Sequence, residues 1–111
     1  MSMHFGPWHP VVDSSQHAPD CSGVVQMRAE GILDYKLGRS AMVFYACSAP
    51  GETLRAYVDG PGAALIQQAQ EQGACWIRFG ESLDAARDLS RLLKRFAERF
   101  GTPPLGNTSQ P

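Results

Sequence analysis

The feature that most constrains the fold of this chain is a long amphipathic pattern near its C-terminus. Between positions 83 and 100, apolar residues recur at steps of three and four, at Ala86, Leu89, Leu93, Phe96 and Phe100. This periodicity predicts a helix with one apolar face, for which Ser82 is a candidate N-cap and Gly101 a candidate C-terminal cap. Since an apolar helix face must be buried against another element, the rest of the chain has to supply that surface.

The preceding segments predict a small sheet as that surface. Residues 24–28 and 41–47 favour strands, and residues 32–37 are ambiguous between strand and helix but alternate like a strand. Glu30-Gly31 is typical of a turn. Helical segments at 53–58 and 63–72 precede a further strand at 75–79. The order predicts an α+β fold, with a small three-stranded, mainly antiparallel sheet flanked by helices and a long C-terminal amphipathic helix.

Length and composition predict one small domain. The chain has 111 residues, 43% of them apolar, and a net charge of −1. This composition excludes a disordered chain, and no apolar run approaches the roughly 20 residues of a membrane span. Three cysteines without a C-x-x-C pair, and no visible signal peptide, favour the cytoplasm. We expect an extended N-terminal arm over 1–22, a domain over 23–101 and a polar tail over 102–111.

Several short motifs follow one another along the predicted strands and helices. Ser22-Gly23-Val24-Val25 begins the first core strand, and Tyr45-Ala46-Cys47 lies on the next. A helix with Leu54-Arg55 follows, and the chain closes on Pro103-Pro104-Leu105-Gly106-Asn107. In motif order the sequence resembles the GIY-YIG nuclease family over about residues 8–107, at low identity. The resemblance implies the GIY-YIG fold.

The resemblance also implies a site for metal-dependent phosphodiester hydrolysis. Carried over by position, Tyr45 would position water, Arg55 would steady the phosphate, and Asp88 would hold Mg²⁺ in place of the family's glutamate. A metal and a cation together would neutralise charge on the transferring phosphoryl oxygens. Val25 stands where the family has its first tyrosine, and Cys47 stands where it has a glycine. The implied site is therefore degenerate.

Three functions remain open from the sequence. The first is a degenerate GIY-YIG-like domain associated with DNA or RNA, with weak or no cleavage; the second is an active Mg²⁺-dependent endonuclease. The third is a non-catalytic module that binds a protein partner, which the near-zero net charge favours because phosphate neutralisation dominates nucleic-acid affinity. No membrane partner is expected, and the oligomeric state is open. Ordinary structural roles also fit the three residues: a core aromatic for Tyr45, a surface cation for Arg55 and an ion pair with Arg91 for Asp88.

Overall fold

A computed structural model describes residues 3–108, and within them the fold comprises a four-stranded antiparallel sheet and five α-helices. Along the chain the elements are β1 (His9–Pro10), a 3-10 turn (Val11–Asp13), α1 (Ser14–His17), β2 (Gly23–Tyr35), β3 (Gly38–Cys47), α2 (Leu54–Asp59), α3 (Ala63–Glu71), β4 (Ala74–Glu81), α4 (Ala85–Phe100) and α5 (Leu105–Thr108). The strand order is β1-β4-β2-β3. The α+β class is confirmed.

The predicted three-stranded sheet was one strand short. His9 pairs with Ile77 and Pro10 with Trp76, so the N-terminal segment adds β1 to the outer edge of β4. Proline lacks the N–H that a central strand needs, which confines such a strand to an edge. The segment predicted as an extended arm also contains the 3-10 turn and α1. Part of the predicted polar tail forms α5, and its last residues, 109–111, lie outside the described residues.

The predicted turn at Glu30-Gly31 was also wrong, because β2 continues through it to Tyr35. The hairpin turn instead lies between Tyr35 and Gly38, which pair with each other. Register shifts between Met27 and Leu33 bend the long strand without ending it. Irregularities of this kind accommodate turn-forming residues inside a strand by leaving a residue unpaired.

Different helices pack against the two faces of the sheet. Because strand side chains alternate between faces, Met27 in the middle of β2 belongs to one face and its neighbour Gln26 to the other. The face of Met27 packs against α2 and α3 and forms the main core with Leu54 and Ile66. The other face is covered by α4, which contacts β3 and β2. Gln26 is therefore a buried polar residue, 3% exposed, on the α4 face.

Helix α4 confirms the predicted amphipathic helix, with a different start. The side chain of Asp84, not that of Ser82, accepts a hydrogen bond from the Arg87 N–H and caps the helix. Leu83 precedes the cap and is fully exposed. At the other end Gly101 has φ of 79°, a left-handed conformation that favours glycine, and it ends the helix as predicted. Within residues 3–108, no helix is long and apolar enough to cross a membrane.

Candidate functional site

Tyr45 lies in the middle of β3, on the face that α4 covers. Its ring meets the Phe96 ring edge-on, with centroids 5.8 Å apart, and the residue is only 6% exposed. Tyr45 is in register with Gln26, which on its other side faces Arg78 of β4. Burial raises the pKa of the Tyr45 hydroxyl to about 12, although the positive charge of Arg78 acts in the opposite direction. The phenol therefore stays protonated at neutral pH.

Arg55 lies on α2, against the opposite face of the sheet. Its Nε donates to the carbonyl oxygen of Ala18 at 3.3 Å and forms an ion pair with Asp20 at 3.3 Å. Both side chains of the pair are more than half exposed, so the pair adds at most about 1 kcal/mol to stability. These contacts attach α2 to the segment that precedes β2.

Asp88 lies in the first turn of α4, half-buried. Its Oδ2 accepts a hydrogen bond from Ser82 Oγ at 2.5 Å, and the same oxygen of Ser82 accepts one from the Asp84 N–H at 3.1 Å. Within the described part of the chain Asp88 forms no ion pair with Arg91. The carboxylate thus helps to fix the turn between β4 and α4.

The donor set around Asp88 does not form a magnesium site built by the protein alone. Among residues 3–108, no group of three or more His, Cys, Asp or Glu side chains is placed to share an ion. Proteins commonly hold Mg²⁺ through one or two carboxylates together with substrate phosphates. Asp88 can supply one such ligand, and its Oδ2 already accepts the Ser82 hydrogen bond. Magnesium at Asp88 stays a prediction.

The sheet thus separates the residues that the resemblance assigns to one site. Tyr45 packs under α4, whereas Arg55 belongs to a helix on the other face and contacts the N-terminal segment. Asp88 shares the α4 side with Tyr45, but its carboxylate contacts Ser82 at the end of β4. Within residues 3–108, no hydrogen bond or ion pair joins any two of the three side chains. Their catalytic roles remain predictions.

A different set of charged residues lies together on the solvent side of α4. The helix carries five basic and two acidic residues, a net charge of +3. The exposed cations, here called the basic face of α4, are Arg87, Arg91, Lys94, Arg95 and Arg99. Only Arg87 forms an ion pair with a described residue, at 3.6 Å from Asp84. Since residues four apart share a helix face, Arg87, Arg91 and Arg95 form one stripe.

Two further arginines lie on the α4 side of the sheet, on its two inner strands, Arg28 on β2 and Arg78 on β4. The guanidinium carbons of Arg28 and Arg78 lie 4.8 Å and 4.4 Å from the centroid of the same Trp8 ring. Arg78 also lies 4.7 Å from the Phe5 ring, and Arg28 lies 5.9 Å from the Trp76 ring. These five residues are called the arginine–aromatic cluster below. The N-terminal segment therefore contributes two of the three aromatic rings to this cluster.

Sequence reasoning missed the arginine–aromatic cluster, although one signal was present. Gln26 and Arg28 alternate with apolar residues on β2, as do Trp76 and Arg78 on β4. Two strands with this alternation place their polar side chains on one face if they pair in register. The missing information was the pairing itself, since 38 residues, which include β3 and two helices, lie between β2 and β4.

Comparison with protein-family models, curated proteins and solved structures finds no match for the chain. The resemblance to the GIY-YIG family therefore rests on the motifs quoted above.

Proposed function

We propose that this α+β domain associates with nucleic acid and has weak or no phosphodiester-cleaving activity. The observation that carries the proposal is the basic face of α4. Its four cations beyond Arg87 have no ion-pair partner among residues 3–108, so they are available for phosphate groups. Phosphate neutralisation by Lys and Arg is the main source of nucleic-acid affinity.

The distribution of charge supports this proposal better than the total charge does. The whole chain carries −1, while α4 alone carries +3, so the remainder carries a net −4. A molecule charged in this way would turn α4, rather than the rest of its surface, toward a polyanion. The near-neutral total predicts weak binding that is sensitive to salt.

Weak or absent cleavage follows from the placement of the three family positions. The protonated Tyr45 phenol is a poor base at neutral pH, and the sheet lies between it and the helix that carries Arg55. A general base contributes typically about 10²–10⁴ to a rate, so its absence alone would leave little activity.

Fluorescence anisotropy with labelled DNA and RNA oligonucleotides tests the binding. The double variant Arg91→Gln, Arg95→Gln removes two charges from the basic face. We expect it to weaken binding and to reduce the slope of log K against log salt by about 2. The matched control Lys36→Gln, Arg39→Gln removes two exposed charges from the β2–β3 hairpin and should bind like the unaltered protein. Equal binding by the two double variants would contradict the proposal.

A cleavage assay separates the proposal from the endonuclease alternative. With Mg²⁺ and the same oligonucleotides, we expect little or no product. Robust cleavage that disappears with chelator and in Asp88→Ala would instead support the endonuclease. Absence of any nucleic-acid binding at low salt would favour the protein-interaction module.

A further inference from the structure

Two positive charges are brought together at the arginine–aromatic cluster. The antiparallel register of β2 and β4 places Gln26 opposite Arg78 and Arg28 opposite Trp76. Both guanidinium groups then lie within 5 Å of the centroid of the Trp8 ring. Burial lowers the pKa of Arg78, Tyr45 acts in the opposite direction, and the nearby positive charge of Arg28 lowers it as well.

No carboxylate compensates these two charges within residues 3–108. The ion pairs found there involve Arg39, Arg55 and Arg87. Glu30, two positions beyond Arg28 on β2, accepts a hydrogen bond from Trp76 Nε1 at 2.7 Å and is not paired with either arginine. No ion pair with a described residue therefore neutralises the positive charge of Arg28 and Arg78.

The hydrogen-bonding capacity of the pair is also largely unused. Arg78 Nε donates to Gln26 Oε1 at 2.8 Å, and this is the one hydrogen bond of the Arg78 side chain to a described residue. The Arg28 side chain makes none within the described chain, and its Nε is shielded from solvent without a partner. A buried donor without an acceptor is costly, and so are two like charges out of bulk water. An anion at this place would relieve both costs.

We infer that Arg28 and Arg78 form a binding site for a phosphate group, held between their two guanidinium forks. The contacts with the Trp8 ring occupy none of the guanidinium N–H groups, and all of these except Arg78 Nε–H, which bonds Gln26, are left for an acceptor. Two uncompensated charges favour a doubly charged oxyanion over a single carboxylate. The site is separate from the basic face of α4 and does not depend on the function proposed above.

Intrinsic fluorescence gives a direct probe, because the only two tryptophans of the chain, Trp8 and Trp76, both belong to the cluster. Inorganic phosphate is titrated at constant ionic strength, with acetate as the monovalent control. We expect a saturable change with phosphate and none with acetate. Arg28→Gln and Arg78→Gln should each weaken the phosphate affinity by about tenfold or more, the usual effect of losing a charge-assisted hydrogen bond. Arg39→Gln, at an exposed ion pair on the hairpin, should not change it.

A second variant distinguishes loss of phosphate binding from loss of the folded structure. Arg28→Lys keeps the charge but not the planar fork, and we expect it to bind more weakly than the unaltered protein and more tightly than Arg28→Gln. Phosphate should also raise the thermal unfolding midpoint of the unaltered protein more than that of Arg78→Gln, since a ligand stabilises only the state that binds it. No saturable change with phosphate would overturn the inference, as would an equal change with acetate or unchanged affinity in a folded Arg28→Gln.

The source of the phosphate is resolved by two further ligands. A dinucleotide with a 5′-phosphate is compared with the same dinucleotide carrying a 5′-hydroxyl. Tighter binding of the phosphorylated dinucleotide than of inorganic phosphate would assign the site to a nucleic-acid end. The reverse order would assign it to a small free phosphate, and either order supports the site. Equal binding of the two dinucleotides, with no binding of inorganic phosphate, would contradict it.

Discussion

Asn107 protects the exposed edge of the sheet with a single side chain. Its Oδ1 accepts a hydrogen bond from the Tyr45 N–H at 3.0 Å, and its Nδ2 donates to the Tyr45 carbonyl oxygen at 2.9 Å. The amide thus replaces the residue of a neighbouring strand at β3, which is an edge strand. The sequence motif that ends in Asn107 is one of those that resemble the GIY-YIG family, but the contact of Asn107 with Tyr45 depends on tertiary structure.

Replacement of Asn107 by Ala should therefore destabilise the protein. Two backbone groups at a buried residue would lose their partners, which costs about 1–3 kcal/mol in the free energy of unfolding. Thr108→Ala is the control, because Thr108 is exposed and bonds only the nearby Leu105 carbonyl. Urea unfolding of the two variants provides the comparison. An Asn107→Ala variant as stable as Thr108→Ala would contradict the assigned role.

Buried tyrosines make the stability of the fold depend on alkaline pH. Burial raises the pKa of both Tyr45 and Tyr57 to about 12, whereas tyrosine in an unfolded chain titrates near about 10. The unfolded state therefore loses protons first as pH rises. We expect stability to be unaffected by these groups below pH ~10 and to fall between pH ~10 and ~12, by up to about 1.4 kcal/mol per pH unit for each tyrosine.

Tyrosinate absorbance of the native and urea-unfolded protein measures this shift directly. Tyr57→Phe should remove one of the two late titrations and flatten the loss of stability. If all native tyrosines titrated with midpoints near about 10, the burial of these side chains would be contradicted.

At the scale of elements, α4 is attached to the sheet through an aromatic cluster. Phe96 is 5% exposed, meets the Tyr35 and Tyr45 rings edge-on at 5.0 Å and 5.8 Å, and lies 4.4 Å from the Phe100 ring. Phe96→Ala should therefore cost about 3–5 kcal/mol. The neighbouring exposed Arg95→Ala should change the free energy of unfolding by no more than about 0.5 kcal/mol. Denaturant unfolding of the two variants checks this: similar midpoints for Phe96→Ala and Arg95→Ala would show that α4 is not packed as described.

The elements that the sequence predicted well are those with uninterrupted local patterns. The predicted helix over 83–100 and the observed α4 differ by two residues at the N-terminus, because the apolar spacing and Gly101 are local signals. The single long β2 was not predicted, because Glu30-Gly31 has turn composition. The strand continues through it because β2 pairs with β4 up to Ala29 and with β3 again from Leu33. The edge strand β1 was missed for a related reason. Two residues that include a proline form a strand only because β4 lies beside them.

The candidate sites depend on tertiary structure even more than the elements do. The basic face of α4 has a local signal in the sequence, because its cations recur at helical spacing. The arginine–aromatic cluster could not be predicted without two facts of tertiary structure. These are the register of β2 with β4 and the packing of the N-terminal Phe5 and Trp8 rings against Arg78. Tyr45, Arg55 and Asp88 lay in an order that suggested one site, yet order along a chain does not determine on which face of a sheet each side chain lies.

At the scale of the whole molecule, the proposed function depends on charge asymmetry. Helix α4 carries +3 in a chain of net charge −1, and its cations face solvent on one side. Such an asymmetry orients a domain toward a polyanion without giving high affinity at physiological salt. Removing charge from the β2–β3 hairpin should thus matter much less than removing it from α4.

The salt dependence of nucleic-acid binding tests the central claim most directly. The measurement is the association constant for a DNA or RNA oligonucleotide over a series of salt concentrations, for the unaltered protein and for Arg91→Gln, Arg95→Gln. The account predicts a measurable constant at low salt that decreases linearly in log–log form, with a slope smaller by about 2 in the double variant. No binding at low salt, or the same slope in both proteins, would contradict it.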